Sequence, residues 1–276
     1  PWLSNSGNTN ESNGDTEQMP CEIAILENER AAAGHAADRI TAILTDAIAH
    51  HGRATIALAG GRTPRLLYQL LTQPPYRDRV DWHAVEWFWG DERPVPPEHP
   101  DSNYRLAAET LLAQLSIDPN RVHRIPTELG PEEAAAAYEG TLRSVFGSRE
   151  HEVPQFDLVL LGMGADAHIA SLFPGTRALH ETERLVVANA VPQLGTVRIT
   201  FTPPLIRAAR HVIVLVTGEE KAAAVHLAIE GKDDPDRVPA HILRRVDGTL
   251  LWILDRAAAR ELSVTTGPCP PTRDHR

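Results

Sequence analysis

Asp166 and His168 stand two residues apart, just past the apolar run L-V-L-L at 158–161 and the glycines Gly162 and Gly164. The run reads as a buried strand, and the glycines let the backbone turn sharply at its end. A carboxylate and an imidazole placed there can do acid–base chemistry, since an unperturbed histidine titrates near neutral pH. In open parallel α/β sheets, ligands bind at that same carboxyl edge. Taken alone, D-A-H describes a Gly-rich turn with a surface Asp and a hydrogen-bonded His equally well.

Two other strand ends carry chemistry of a related kind. A-T-I-A-L-A at 54–59 runs into Gly60, Gly61, Arg62, Thr63 and Pro64, followed by a helix over 65–71. The glycines let the backbone pass close to a ligand, Thr63 can cap the helix and Pro64 suits its first turn. The exposed amides and the helix dipole then favour an anion; an ordinary tight turn accounts for the junction as well. V-E-W-F-W at 85–89 ends in Gly90, Asp91, Glu92 and Arg93, followed by four prolines before Asp101. Ser102 or Asp101 can cap the helix that runs through Leu112. A stiff loop carrying Asp91, Arg93 and Asn103 suits a preformed site, and it also suits a solvated charged surface.

The elements that position these loops follow from periodicity. Residues 27–51 carry Ile40, Ile43, Leu44, Ala47 and Ile48 on one helical face. Short strands are expected at 54–59, 85–89, 122–125, 157–161, 185–191, 197–202, 211–216 and 250–254. Helices are expected at 131–146 and from Thr217 through Ile229, with a short helix or turn at 203–209. Trp87 and Trp89 share one strand face and read as core. Alternating strands and helices predict an α/β fold, a mostly parallel open sheet with helices on both faces.

The composition sets limits. The chain has 276 residues, 42% of them hydrophobic, enough for one large α/β domain or two small ones. A formal net charge of −10 argues against nucleic acid or a membrane surface as partner, so an anionic substrate would need cations gathered locally. No apolar run approaches transmembrane length. Cys21 and Cys269 sit near opposite ends, which suggests neither a disulfide framework nor a metal cluster and points to a reducing, cytoplasmic setting. Residues 1–20 read as a polar, disordered leader, 21–262 as a single domain, and 263–276 as a disordered tail. There is no G-x-S-x-G elbow, Walker A sequence or H-E-x-x-H. Residues 162–167 do fit G-x-G-x-x-A, with Glu183 near the ribose-binding position. Pro174 would interrupt the required helix, and Asp166 would face the pyrophosphate.

Taken together, these stretches resemble the 6-phosphogluconolactonase family, within the glucosamine/galactosamine-6-phosphate isomerase-like superfamily. The resemblance is carried by A-G-G-R-T-P at 59–64, W-G-D-E-R-P-V-P at 89–96 with D-S-N-Y-R at 101–105, and G-M-G-A-D-A-H-I-A-S-L-F-P at 162–174. V-R-I-T-F-T-P-P-L-I at 197–206, V-T-G-E-E-K at 216–221 and, more weakly, V-P-A-H-I-L at 238–243 extend it over about residues 25–256. It implies a sugar-phosphate isomerase-like, Rossmann-like fold. It also implies hydrolysis of 6-phospho-D-glucono-1,5-lactone to 6-phosphogluconate in the oxidative pentose phosphate pathway, without a cofactor. The histidines show no metal-ligand spacing, so no metal is expected, and a monomer or small homo-oligomer is expected.

By the same resemblance, His168 is the general base on water and Asp166 positions it or the substrate. Gly60, Gly61, Arg62 and Thr63 form the phosphate loop, and Arg198 and Lys221 hold the phosphate. Asp91, Arg93 and Asn103 line the second loop of the site, where Arg93 or backbone amides can stabilise the oxyanion. Two positions depart from the pattern. Arg62 stands where Ser is also common, a mild change. Ala167 stands where the family usually has Gly; if that residue needs φ > 0, Ala costs about 1 kcal/mol and can displace His168. A non-catalytic sugar-phosphate-binding protein is therefore one alternative. Glucosamine-6-phosphate deaminase is another, opposed by Phe173, which occupies the position where that family places a Glu.

Overall fold

The computed structural model describes residues 21–270; the expected leader at 1–20 and the end of the expected tail at 271–276 lie outside the described residues. A seven-stranded sheet forms the centre, in the order β10-β1-β9-β8-β5-β2-β3. Its strands are β1 (Cys21–Leu26), β2 (Ala54–Leu58), β3 (Val85–Trp89), β5 (Leu158–Leu161), β8 (His211–Val216), β9 (Thr249–Asp255) and β10 (Gly267–Pro268). All neighbours pair parallel except β1 with β10. Every residue of β2, β3 and β5 is buried, as expected of parallel strands covered on both faces.

α1 (Glu29–His51) packs on this sheet and on α2 (Arg62–Leu71). Asn28 caps α1 by accepting from the Ala31 amide at 3.0 Å, and Gly52, at φ 71°, ends it. Its inner face is mostly small: Ala32, Ala33, Ala36 and Ala37 are buried beside Ile40 and Leu44, which lets the helix sit close to the strands. α4 spans Pro131–Phe146, as the sequence predicts. Buried Asp157 ties β2 to β5 by accepting from the amide (2.9 Å) and hydroxyl (2.8 Å) of Thr55.

Several expectations need correction. The strands at 185–191 and 197–202 form, as β6 (Val186–Val191) and β7 (Thr196–Phe201), but they do not join the main sheet. They pair antiparallel in a second, three-stranded sheet, β4-β7-β6, whose third strand is β4 (Asp91–Glu92). α4 packs against β6 and β7. Residues 122–125 make a single bridge to Trp87 rather than a strand. β1 was not foreseen. The helix from Ser102 splits into α3 (Asn103–Ala107) and a π-turn, Ala108–Leu112. α5 (Pro203–Arg207) is short, and α6 (Ala222–Glu230) starts after a 3-10 turn, Glu219–Lys221.

The domain boundary drawn at 262 also falls short. β10 pairs with β1, and Cys269 forms a disulfide with Cys21 at a Cα–Cα distance of 5.3 Å. The two cysteines, 248 positions apart in the chain, meet because the first and last described strands, β1 and β10, pair at one edge of the sheet. Among the described residues no helix is long and apolar enough to cross a membrane.

Candidate active site

Four adjacent strands, β8, β5, β2 and β3, end in loops that surround one cavity of about 440 Å³. This is the carboxyl edge where parallel sheets bind ligands. All eleven site residues expected from the sequence line it. A second cavity, about 510 Å³, lies under the C-terminal segment. Two of its charged groups are already committed: Arg244 donates to the carbonyls of Ala228 and Gly231, and Glu230 accepts from Ser263 and Val264.

His168 is held in the first cavity by a 2.6 Å hydrogen bond between Nδ1 and Oδ1 of Asp166. Burial pushes the Asp166 carboxyl up, but the hydrogen bond and charge of His168 outweigh it, and the net shift is down. An ionised carboxylate only accepts, so Nδ1 carries a proton, and in the neutral imidazole the lone pair falls on Nε2. A Cβ at Gly164 would overlap Nδ1 and Cε1 of His168; this position is glycine for space. Ala167 adopts φ 62°, the left-handed region that disfavours a side chain. Its strained backbone is tied on both sides, the amide donating to Gly164 O and the carbonyl accepting from the Ala240 amide, each at 3.1 Å. His168 is therefore not displaced, and the V-P-A-H segment acquires a role in holding the loop.

The loop after β3 is organised by Glu92, which the sequence reading passed over. Its buried carboxylate accepts from the amides of Arg93, Asn103 and Tyr104, each at 2.8 Å, and from the Ser102 hydroxyl at 3.0 Å. Burial raises its carboxyl above the usual range although these amides pull it down. Ser102, not Asp101, caps α3. Asp91 accepts from the Asn103 side-chain amide at 3.2 Å and from the Ser171 hydroxyl at 2.6 Å. Arg93 donates to the Asp101 carbonyl at 2.6 Å.

α2 starts one turn earlier than expected, with Gly61 in the cap position at φ 96° and no side-chain cap. Thr63 thus lies inside the first turn, its hydroxyl 3.3 Å from that of Thr217. The first-turn amides stay open to an anion. Gly60 leaves room for the Asn103 carboxamide, which a Cβ would overlap. Arg62 points outward, 92% exposed and 3.4 Å from Glu220.

Arg198 lies half-buried on β7. Burial, then the neighbouring charge of Arg93, pushes its guanidinium below the ordinary value. Among the described residues no carboxylate lies within 4.0 Å of the cationic groups of Arg93, Arg198 or Lys221. An otherwise acidic chain therefore directs three unpaired cations at one cavity, beside a base fixed in a defined tautomer. Among the described residues no group of three or more His, Cys, Asp or Glu could hold a metal ion.

A family model described as glucosamine-6-phosphate isomerases/6-phosphogluconolactonase matches residues 27–252. A 6-phosphogluconolactonase of Nostoc sp. is 41% identical over 247 residues, covering 89% of this chain and all of the relative. The solved 6-phosphogluconolactonase from Trypanosoma cruzi superposes with a TM-score of 0.80 at 31% identity, over 90% of this chain and 98% of that one. A monomeric glucosamine-6-phosphate deaminase, at 20% identity and a TM-score of 0.72, shares the fold over 87% of this chain and all of its own.

Proposed function

The chain belongs to the family of glucosamine-6-phosphate isomerases and 6-phosphogluconolactonases, and from that premise we propose how it hydrolyses 6-phospho-D-glucono-1,5-lactone to 6-phospho-D-gluconate in the oxidative pentose phosphate pathway. His168 Nε2 takes a proton from water as the water oxygen attacks C1 of the lactone. Asp166 fixes the tautomer this requires and stabilises the imidazolium that forms. The tetrahedral intermediate collapses with rupture of the C1–O5 bond, and His168 returns the proton to O5. Arg93 or first-turn amides stabilise the oxyanion. Arg198, Lys221 and the Gly60–Thr63 turn hold the phosphate, with Arg62 adding charge at the rim. Asp91 and Asn103 contact the sugar side.

The observation that carries this reading is the Asp166–His168 pair facing the same cavity as three cations without carboxylate partners. The test is 6-phosphogluconate formation above the spontaneous rate. His168→Ala should reduce it to the spontaneous rate while leaving affinity for 6-phosphogluconate within about two-fold, because the phosphate grip is separate. A wild-type-like rate in that variant removes His168 from the mechanism. We also propose a cytoplasmic monomer or small homo-oligomer, which fractionation and light scattering would check. The cysteine pair, now bonded, no longer argues for a reducing compartment.

A further inference from the structure

We propose that Phe173 is a positioning residue for the lactone hydrolysis, its ring backing the His168 imidazole so that Nε2 points at the attacking water; this rests on His168 being the base. The two rings stack with centroids 4.0 Å apart and planes 26° from parallel. Phe173 is only 6% exposed, yet its ring forms part of the cavity wall. One hydrogen bond at Nδ1 leaves the imidazole free to swing about that contact. A planar apolar wall against its face removes the swing and keeps water off that side.

Phe173 can act as a wall because its own backbone is anchored independently of His168. The Phe173 carbonyl accepts from the hydroxyl and amide of Thr176, at 2.7 and 3.1 Å. The Thr176 hydroxyl in turn accepts from the Asn189 side-chain amide on β6 at 3.0 Å. The adjoining Gly175 amide donates to the Asp236 carbonyl at 2.9 Å. The imidazole is thus held by Asp166 at its edge, by the close backbone of Gly164 and by the Phe173 face. Orientation of this kind matters because small misplacements of a reacting group cost large factors in rate.

The experiment compares Phe173→Leu, Phe173→Tyr and His168→Ala with the wild type in initial-rate assays corrected for spontaneous lactone opening. Phe173→Leu keeps apolar bulk but removes the flat face. Its kcat should fall about ten-fold with KM within about two-fold, since ground-state binding is untouched. Phe173→Tyr, which keeps the face, should restore kcat. In proton–carbon-13 correlation spectra of histidine-labelled protein, the ring-proton signals of His168, shielded by the stacked phenyl, should move downfield in the Leu variant and return in the Tyr variant. An unchanged kcat in Phe173→Leu with an inactive His168→Ala overturns the role of Phe173 alone. Activity in His168→Ala overturns both this inference and the reading beneath it. Losses in Leu and Tyr alike that follow the folded fraction assign Phe173 to packing and overturn the inference as well.

Discussion

At Ala167 the strain in the Asp166–His168 loop can be weighed. A left-handed alanine costs about 1 kcal/mol or more, and the two hydrogen bonds to Gly164 and Ala240 hold it there. Ala167→Gly should therefore stabilise the protein by up to about 1 kcal/mol. Because His168 already sits against Asp166, kcat should change by less than about three-fold, a shift well under 1 kcal/mol of barrier. Urea unfolding and lactone kinetics on the same preparation would check both; destabilisation would show that the Ala167 methyl carries packing worth more than its strain. Most of the candidate residues at the cavity, among them Asp166, His168, Asp91 and the Gly60 turn, were legible because they stand just after a strand, at a glycine; Arg198, inside β7, was marked only by the family resemblance. Phe173 and Ser171 were not. Phe173 drew notice only for the acid it replaces, and neither residue's importance exists until the loop folds back on His168 and Asp91.

Among the elements, the loop between β3 and α3 was expected to owe its shape to its prolines. Instead the buried Glu92 carboxylate gathers four donors at its centre. Glutamine at that position has one acceptor oxygen and would present its NH₂ group to two of those donors. Glu92→Gln should therefore cost about 2 kcal/mol of stability. By releasing Arg93 and Asn103 it should also raise KM more than it lowers kcat. Chemical denaturation and steady-state kinetics measure the two separately, and an unchanged KM would mean the prolines suffice. Periodicity could mark β6 and β7 as strands, but two-residue alternation carries no information about the partner. That they turn aside to pair with β4 is decided by the chain leaving the main sheet at Gly90, whose carbonyl accepts from Phe201 at 2.8 Å. The short β1 was missed because six residues beside an unpatterned polar leader carry little signal.

For the molecule as a whole, charge and covalent closure work in different places. Net charge −10 repels a phosphorylated substrate at long range, so on the proposed reading capture falls to Arg93, Arg198 and Lys221, which line the cavity. Closure lies elsewhere. Cys21 is the first residue of β1, at the amino end of a strand three places removed from β5, and Cys269 follows β10 on the same edge. The cavity opens at the carboxyl ends of β8, β5, β2 and β3. A reader of the sequence sees two cysteines at maximal separation and infers no bond, yet domain termini often meet at the surface. A cross-link spanning nearly the whole chain limits the unfolded state most, by at most about 5 kcal/mol on the chain-entropy estimate. A dithiol reductant, or Cys269→Ser, should accordingly lower the urea midpoint while leaving the initial rate on the lactone unchanged at 25 °C. Equal midpoints with and without reductant would show that the β1–β10 clasp contributes nothing to stability. A lost rate in protein that remains folded would instead show that the β1 edge is coupled through β9 and β8 to the cavity, and that closure and catalysis are not separate after all.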